Sequence, residues 1–175
     1  MTDYVAYLNG HFIPDSECRI HFWDRGIRVG DGVFEAERTF NGKIFRLREH
    51  LERLYRSLTF LRIDPGLNLH QMEELTLEVL EKNQSLLATG EDLSIIQFVT
   101  RGPGVKITEA GPPSVGINVR PYDFSPYARH YKTGAHVVFP RTRSYPPQCV
   151  DPKVKHFSRM NFNLADLEAA AVDPE

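Results

Sequence analysis

What the sequence lacks narrows its function first. Its 175 residues contain two cysteines, Cys18 and Cys149, with no spacing that suits a metal ion and no short loop to close. That pair is consistent with free thiols in a reducing compartment. The net charge is −2, so no global field favours nucleic acid or an anionic membrane. The opening MTDYVAYLNG has neither a basic nor an apolar signal region, and no apolar run approaches the roughly 20 residues of a spanning helix. These absences predict a soluble, cytoplasmic protein with neither a nucleic-acid nor a membrane partner. Neither G-x-G-x-x-G nor a P-loop pattern occurs, which withdraws support for nucleotide binding. There is no internal repeat and no low-complexity tract.

The patterning that is present predicts an α+β protein. Tyr4–Leu8 and His11–Ile13 read as strands around the hairpin signal Asn9-Gly10, and Val33–Phe40 and Lys43–Phe45 around Asn41-Gly42. Leu47, Leu51, Leu54, Leu58 and Leu61 recur at helical steps, so Arg46–Leu61 is read as an amphipathic helix. A second helix is expected over Leu69–Asn83 with Asn68 as its cap. Leu93–Thr100 and Ser114–Arg120 read as strands, with a tight Arg101-Gly102-Pro103-Gly104 loop after the first. Composition then shifts. Residues 1–120 are read as a small N-terminal domain, 121–133 as an interdomain linker, and 134–175 as the start of a larger domain that the chain does not finish. In that last part Ala135–Phe139 is expected to be a strand and Ser158–Val172 a helix.

Candidate chemistry is sparse. Lys155, in CVDPKVKHFSR, lies between apolar neighbours at the approach to a helix. Desolvation there would favour a neutral, nucleophilic amine. Most lysines are simply solvated, however, and Lys153 competes for the role on these grounds. Gly26, Gly30 and Gly32 imply sharply bent or closely approached backbone. Arg53 lies on the flank of the leucine stripe, compatible with an anion contact; Glu49 and Glu52 could equally pair with Arg53 and Arg56 at helical spacing. Asp31 and Glu35 are a weaker candidate for an acid/base pair. The seven histidines show no metal-ligand spacing, and His50 reads as a packed helix residue.

Taken together, these blocks resemble the class IV (fold-type IV) pyridoxal-phosphate enzymes: Asn9-Gly10, Asp24-Arg25-Gly26, Gly30-Asp31-Gly32-Val33-Phe34-Glu35, Phe45-Arg46-Leu47, Glu49-His50-Leu51-Glu52-Arg53-Leu54, then Pro146-Pro147, Asp151-Pro152, Val154-Lys155 and Arg159. That family includes branched-chain, D-amino acid and (R)-amine transaminases and aminodeoxychorismate lyases. The resemblance implies a two-domain α+β fold and pyridoxal 5′-phosphate as cofactor. It makes Lys155 the Schiff-base lysine and Arg53 the ligand of the cofactor phosphate. It implies amino transfer from an amino acid or amine to a 2-keto acid in a homodimer, with the Arg101–Pro113 segment reaching a partner subunit. Val29 stands where the family often has an aromatic residue. The run after Thr100-Arg101-Gly102 lacks the Arg-x-His carboxylate trap of D-amino acid aminotransferases. Val29 and Arg101 are therefore the substrate-binding candidates, and no metal is implied. An aminodeoxychorismate lyase-like reaction and a non-catalytic binding protein are the alternatives.

Overall fold

A computed structural model describes residues 3–87 and 91–172. In chain order it has β1 (Val5–Leu8), β2 (His11–Pro14), α1 (Arg25–Val29), β3 (Gly32–Phe40), β4 (Lys43–Ile44), α2 (Leu47–Leu61), α3 (Leu69–Gln84), β5 (Asp92–Thr100) and β6 (Ser114–Tyr122). The short helices α4 (Ser125–Ala128) and α5 (His130–Thr133) and the longer α6 (Met160–Val172) follow. The six strands form one sheet in the order β2-β1-β6-β5-β3-β4, with every named pairing antiparallel.

Local chemistry explains most of these elements. Both Asn-Gly pairs adopt left-handed backbone at both residues, Asn9 with Gly10 and Asn41 with Gly42, as two-residue hairpin turns require. Asn68 accepts from the backbone N–H of Gln71 while the Gln71 side chain accepts from that of Asn68, closing a capping box at the start of α3. Leu47, Leu51, Leu54 and Leu58 of α2 and Met72, Val79 and Leu80 of α3 are buried. On the sheet, so are Val33, Leu93, Ile95, Val99, Val115, Ile117 and Val119. Asn83 ties α3 to β1, accepting from Val5 N–H and donating to Val5 C=O, both at 2.8 Å.

The chain divides into two compact units. One runs through Tyr122 and regains Val154–Phe157; the other holds Asp123–Lys153 and the segment from Ser158. In the first unit, Val154–Phe157 lies along β3. Phe34 N–H donates to Lys155 C=O at 3.0 Å, and Phe157 N–H donates to Gly32 C=O at 2.9 Å. A bridge pairs Val33 with His156. Gly32 is where that strand is closely approached: a Cβ there would lie 2.8 Å from Val99 C=O.

Between Asp24 and Gly30 the backbone bends as the glycines imply: Asp24 caps Gly26 N–H and Gly30 turns left-handed at φ 69°, enclosing the short helix α1. Residues 121–133 contain the end of β6 and both α4 and α5. Ala135–Phe139 is not a strand, because no described segment offers it a ladder of backbone hydrogen bonds. Its Phe139 is 90% exposed. Among the described residues no helix is long and apolar enough to cross a membrane.

Candidate active site

The site grows from two periodicities that meet. Along β3, alternate residues Val33, Glu35, Glu37 and Thr39 are buried. Two of these four are carboxylates, which is unusual for a strand's buried side. Along α2, His50, Arg53 and Ser57 follow at helical steps beside the leucine stripe. Packing α2 on β3 brings the two rows together.

Glu35 is the centre of the contact. Its carboxylate accepts from Arg53 Nε at 2.5 Å and Arg53 Nη2 at 2.6 Å, a bidentate pair on the side edge of the guanidinium. His50 Nδ1 lies 3.0 Å from the same carboxylate. The Glu35 side chain is fully buried, whereas that of Arg53 is 42% exposed. Burial raises the Glu35 pKa, but the hydrogen bonds from Arg53 and His50 and the charges of Arg53 and Lys155 outweigh it and hold Glu35 below its ordinary value. The bond to Glu35 raises the pKa of Arg53 in turn. Among the described residues Arg53 Nη1 makes no hydrogen bond, so the outer edge of the fork is uncommitted.

Lys155 belongs to the same site. Its backbone N–H donates to Ser57 Oγ at 3.3 Å, and Ser57 Oγ donates to Arg53 C=O at 2.9 Å. Its Nζ lies 4.9 Å from the centre of the Phe34 ring. Its charge is felt at both Glu35 and Glu37. Phe34 also packs against Phe157, with ring centres 5.8 Å apart. Lys153, the competing lysine, is exposed in the turn before this segment.

Glu37 differs from its neighbour. It accepts from Gln97 Nε2 at 2.5 Å, but its Oε2 is buried without a hydrogen-bond partner. Burial, reinforced by the charge of Glu35 and opposed by the Gln97 bond, pushes its pKa up to about 7. Glu35, Glu37 and His50 offer ligand atoms within 4.8 Å of one another, but both oxygens of Glu35 already bond Arg53 and the charges of Arg53 and Lys155 oppose a metal cation.

The other candidates make different contacts. Asp31 and Glu35 have different partners: Asp31 accepts from Arg25 Nε and Arg101 Nε, each at 2.8 Å. Arg101 also donates to Leu61 C=O at 2.7 Å and Arg62 C=O at 3.0 Å, closing the C-terminus of α2. Burial raises the Asp31 pKa, yet the two guanidinium groups hold it below its ordinary value. Val29 is 62% exposed at the end of α1. The helical pairing read for Glu49 and Glu52 is also redirected: they bond Arg46 and Arg48, while Arg53 turns to Glu35. Sequence reasoning overlooked Glu37, Gln97 and Ser57. Two glutamates in phase with Val33 in VFEAERTF were the available signal.

Chemically, the centre offers a primary amine beside an arginine with a free fork edge, on backbone fixed by β3 and α2. That set suits a phosphate-bearing carbonyl compound, with the amine for the carbonyl carbon and the arginine for the phosphate.

The amino-transferase class IV family model matches residues 32–175. A Methanocaldococcus jannaschii protein named "Putative branched-chain-amino-acid aminotransferase" is 33% identical over 172 residues, covering 95% of this chain and 57% of its own. A D-alanine aminotransferase of Staphylococcus aureus is 37% identical over 78 residues, covering 45% of this chain and 28% of its own. The structure of a Thermoproteus uzoniensis branched-chain aminotransferase with norvaline has a TM-score of 0.81 at 23% identity, covering 98% of this chain and 58% of that one. The T.th branched-chain amino acid aminotransferase complexed with N-(5′-phosphopyridoxyl)-L-glutamate has a TM-score of 0.85 at 23% identity, covering 98% and 56%. The chain thus spans a little over half the length of the M. jannaschii relative and of these solved structures, and the structural likeness establishes the α+β fold type it shares with them.

Proposed function

The chain belongs to the amino-transferase class IV family, and on that footing we propose that it carries pyridoxal 5′-phosphate on Lys155 and moves an amino group from an amino acid to a 2-keto acid. The observation that carries this reading is that Arg53, through Glu35, and Lys155, over Phe34, meet neighbouring residues of β3, with the outer fork edge of Arg53 uncommitted. When bound, the cofactor supplies an aldehyde for covalent attachment and a ring that accepts electrons released at the substrate Cα.

The residues divide the remaining work. Lys155 Nζ would hold the cofactor covalently, and the same amine would take the proton released at the substrate Cα. Arg53 donates from its outer edge to the phosphate, for which a planar fork is suited. Ser57 and β3 hold the Lys155 backbone, so that the amine returns to the same place in each half-reaction. Exposed Val29 contributes an apolar substrate contact. Arg101, whose bonds run to Asp31 and α2, contributes by fixing the loop that follows it. A branched-chain donor is favoured because the relative with that name matches 95% of the chain, whereas the D-alanine enzyme matches 45%.

A homodimer is part of this proposal. Phe22, Trp23, Ile27, Val29, Val105 and Ile107 are exposed around α1 and the loop it meets. Those two segments are joined by the Gly104 N–H to Trp23 C=O bond at 3.1 Å. A mainly apolar patch of this kind is suited to burial between subunits. The free Cys18 and Cys149 suit a cytoplasmic setting.

The test is uptake of pyridoxal 5′-phosphate by the complete protein, followed by visible absorption, borohydride trapping and transfer from L-leucine or L-valine to 2-oxoglutarate. Bound cofactor trapped at Lys155, with both trapping and transfer lost in Lys155→Ala, supports the proposal. Failure to take up the cofactor, or unchanged transfer in Lys155→Ala, refutes it.

A further inference from the structure

We propose that Glu35 is the positioning residue of the phosphate-binding arginine: by occupying the side edge of the Arg53 fork it fixes the outer edge in the orientation a phosphate needs. This rests on the assignment of Arg53 to the cofactor phosphate.

An arginine with 42% of its side chain exposed would ordinarily sample many rotamers. Arg53 is held instead by a fully buried carboxylate on the central part of β3, through Nε at 2.5 Å and Nη2 at 2.6 Å. The anchor is itself fixed. Glu35 lies opposite Gln97 in the β3–β5 register, and His50 Nδ1 meets its carboxylate at 3.0 Å. The guanidinium plane is therefore set by the strand, and two hydrogens on Nη1 and one on Nη2 remain for a ligand.

Charge alone predicts the opposite consequence. A carboxylate beside an arginine weakens its field, so removing that negative charge should tighten a phosphate. If Glu35 acts by orientation, its removal loosens the phosphate even though the site becomes more positive. The opposite signs separate the two roles.

The experiment compares equilibrium binding of pyridoxal 5′-phosphate with that of pyridoxal to the complete protein. The ratio of the two dissociation constants isolates the phosphate contribution, and general damage to the site would weaken both ligands. In Glu35→Gln, one amide hydrogen faces Arg53 and the fork is no longer matched. Preference for the phosphorylated ligand should fall about tenfold, the equivalent of one charge-assisted hydrogen bond; the effect of the lost charge on Lys155 acts on both ligands and cancels in the ratio. Glu35→Asp keeps the charge but shortens its reach, should lower the preference similarly, and carries the test if Glu35→Gln does not fold. An unchanged or increased preference in either folded variant overturns the inference. Arg53→Ala distinguishes this from failure of the underlying assignment. If that variant retains the wild-type preference, Arg53 does not bind the phosphate. If Arg53→Ala loses the preference and the Glu35 variants keep it, only the positioning role fails.

Discussion

Two arginine–carboxylate contacts lie four residues apart at the start of β3. At Asp31, Arg101 spends Nε, Nη1 and Nη2 on Asp31, Leu61 and Arg62, and Arg25 takes a share of the same carboxylate. At Glu35, Arg53 spends only Nε and Nη2. Exposure follows the same division: the side chain of Arg101 is 15% exposed and that of Arg53 is 42%. One pair is a closed structural joint, while the other pair leaves an outward edge free. Burial of an ion pair therefore does not by itself separate the two contacts; the number of unspent donors does.

The comparison breaks most severely at Asp31. Asp31→Ala strands two mostly buried guanidinium groups and should lower unfolding free energy by about 3–5 kcal/mol in a urea titration. The preference for pyridoxal phosphate over pyridoxal should be unchanged in the folded fraction. A fall in that preference without lost stability would reverse the roles given to the two pairs.

Glu37 sharpens the contrast through pH. Its pKa rises from 4.5 to about 7 on folding. Below 4.5 it is protonated in both states and costs nothing. Between 4.5 and 7 the unfolded chain ionises first, so wild-type stability falls as pH rises, by about 3 kcal/mol at full effect. Glu37→Gln removes that loss. It should match wild type near pH 4 and exceed it by about 3 kcal/mol at pH 8. Parallel stability curves for the two proteins across this window would show that Glu37 is not the source.

Smaller changes probe the open pair. Arg53→Lys keeps the charge and loses the fork, so preference for the phosphorylated ligand should drop about tenfold, with less than about 1 kcal/mol lost in thermal unfolding. His50→Gln removes or weakens one contact to Glu35 and should cost about 1 kcal/mol or less. A larger loss in His50→Gln than in Asp31→Ala would place the structural joint at Glu35.

How legible each part was follows from the range of the interactions. The two Asn-Gly turns, the Asn68 cap and the leucine stripe of α2 are decided within a few residues, and the sequence pattern finds them. The Arg53–Glu35 pair joins a helix to a strand 18 positions earlier. Local spacing instead suggested Glu49, since a helical neighbour is always within reach. An exposed pair of that kind is worth only a few tenths of a kcal/mol. A buried carboxylate needs partners more urgently, and β3 supplies one that no helical pattern can show. The choice between Lys153 and Lys155 was likewise open to local reasoning. Backbone pairing separates them, because the β3 contacts begin after Lys153. Ala135–Phe139 failed in the other direction: a strand-like composition does not form a strand without a paired neighbour.

The backbone bonds joining Gly32 and Phe34 to Phe157 and Lys155 have an evolutionary consequence. They measure the place of the amine from β3, not from the length of chain leading to it. Relatives could therefore gain or lose residues within 145–153 while keeping the amine in register. One residue inserted among 154–157 would shift the whole segment and present a different side chain at the site.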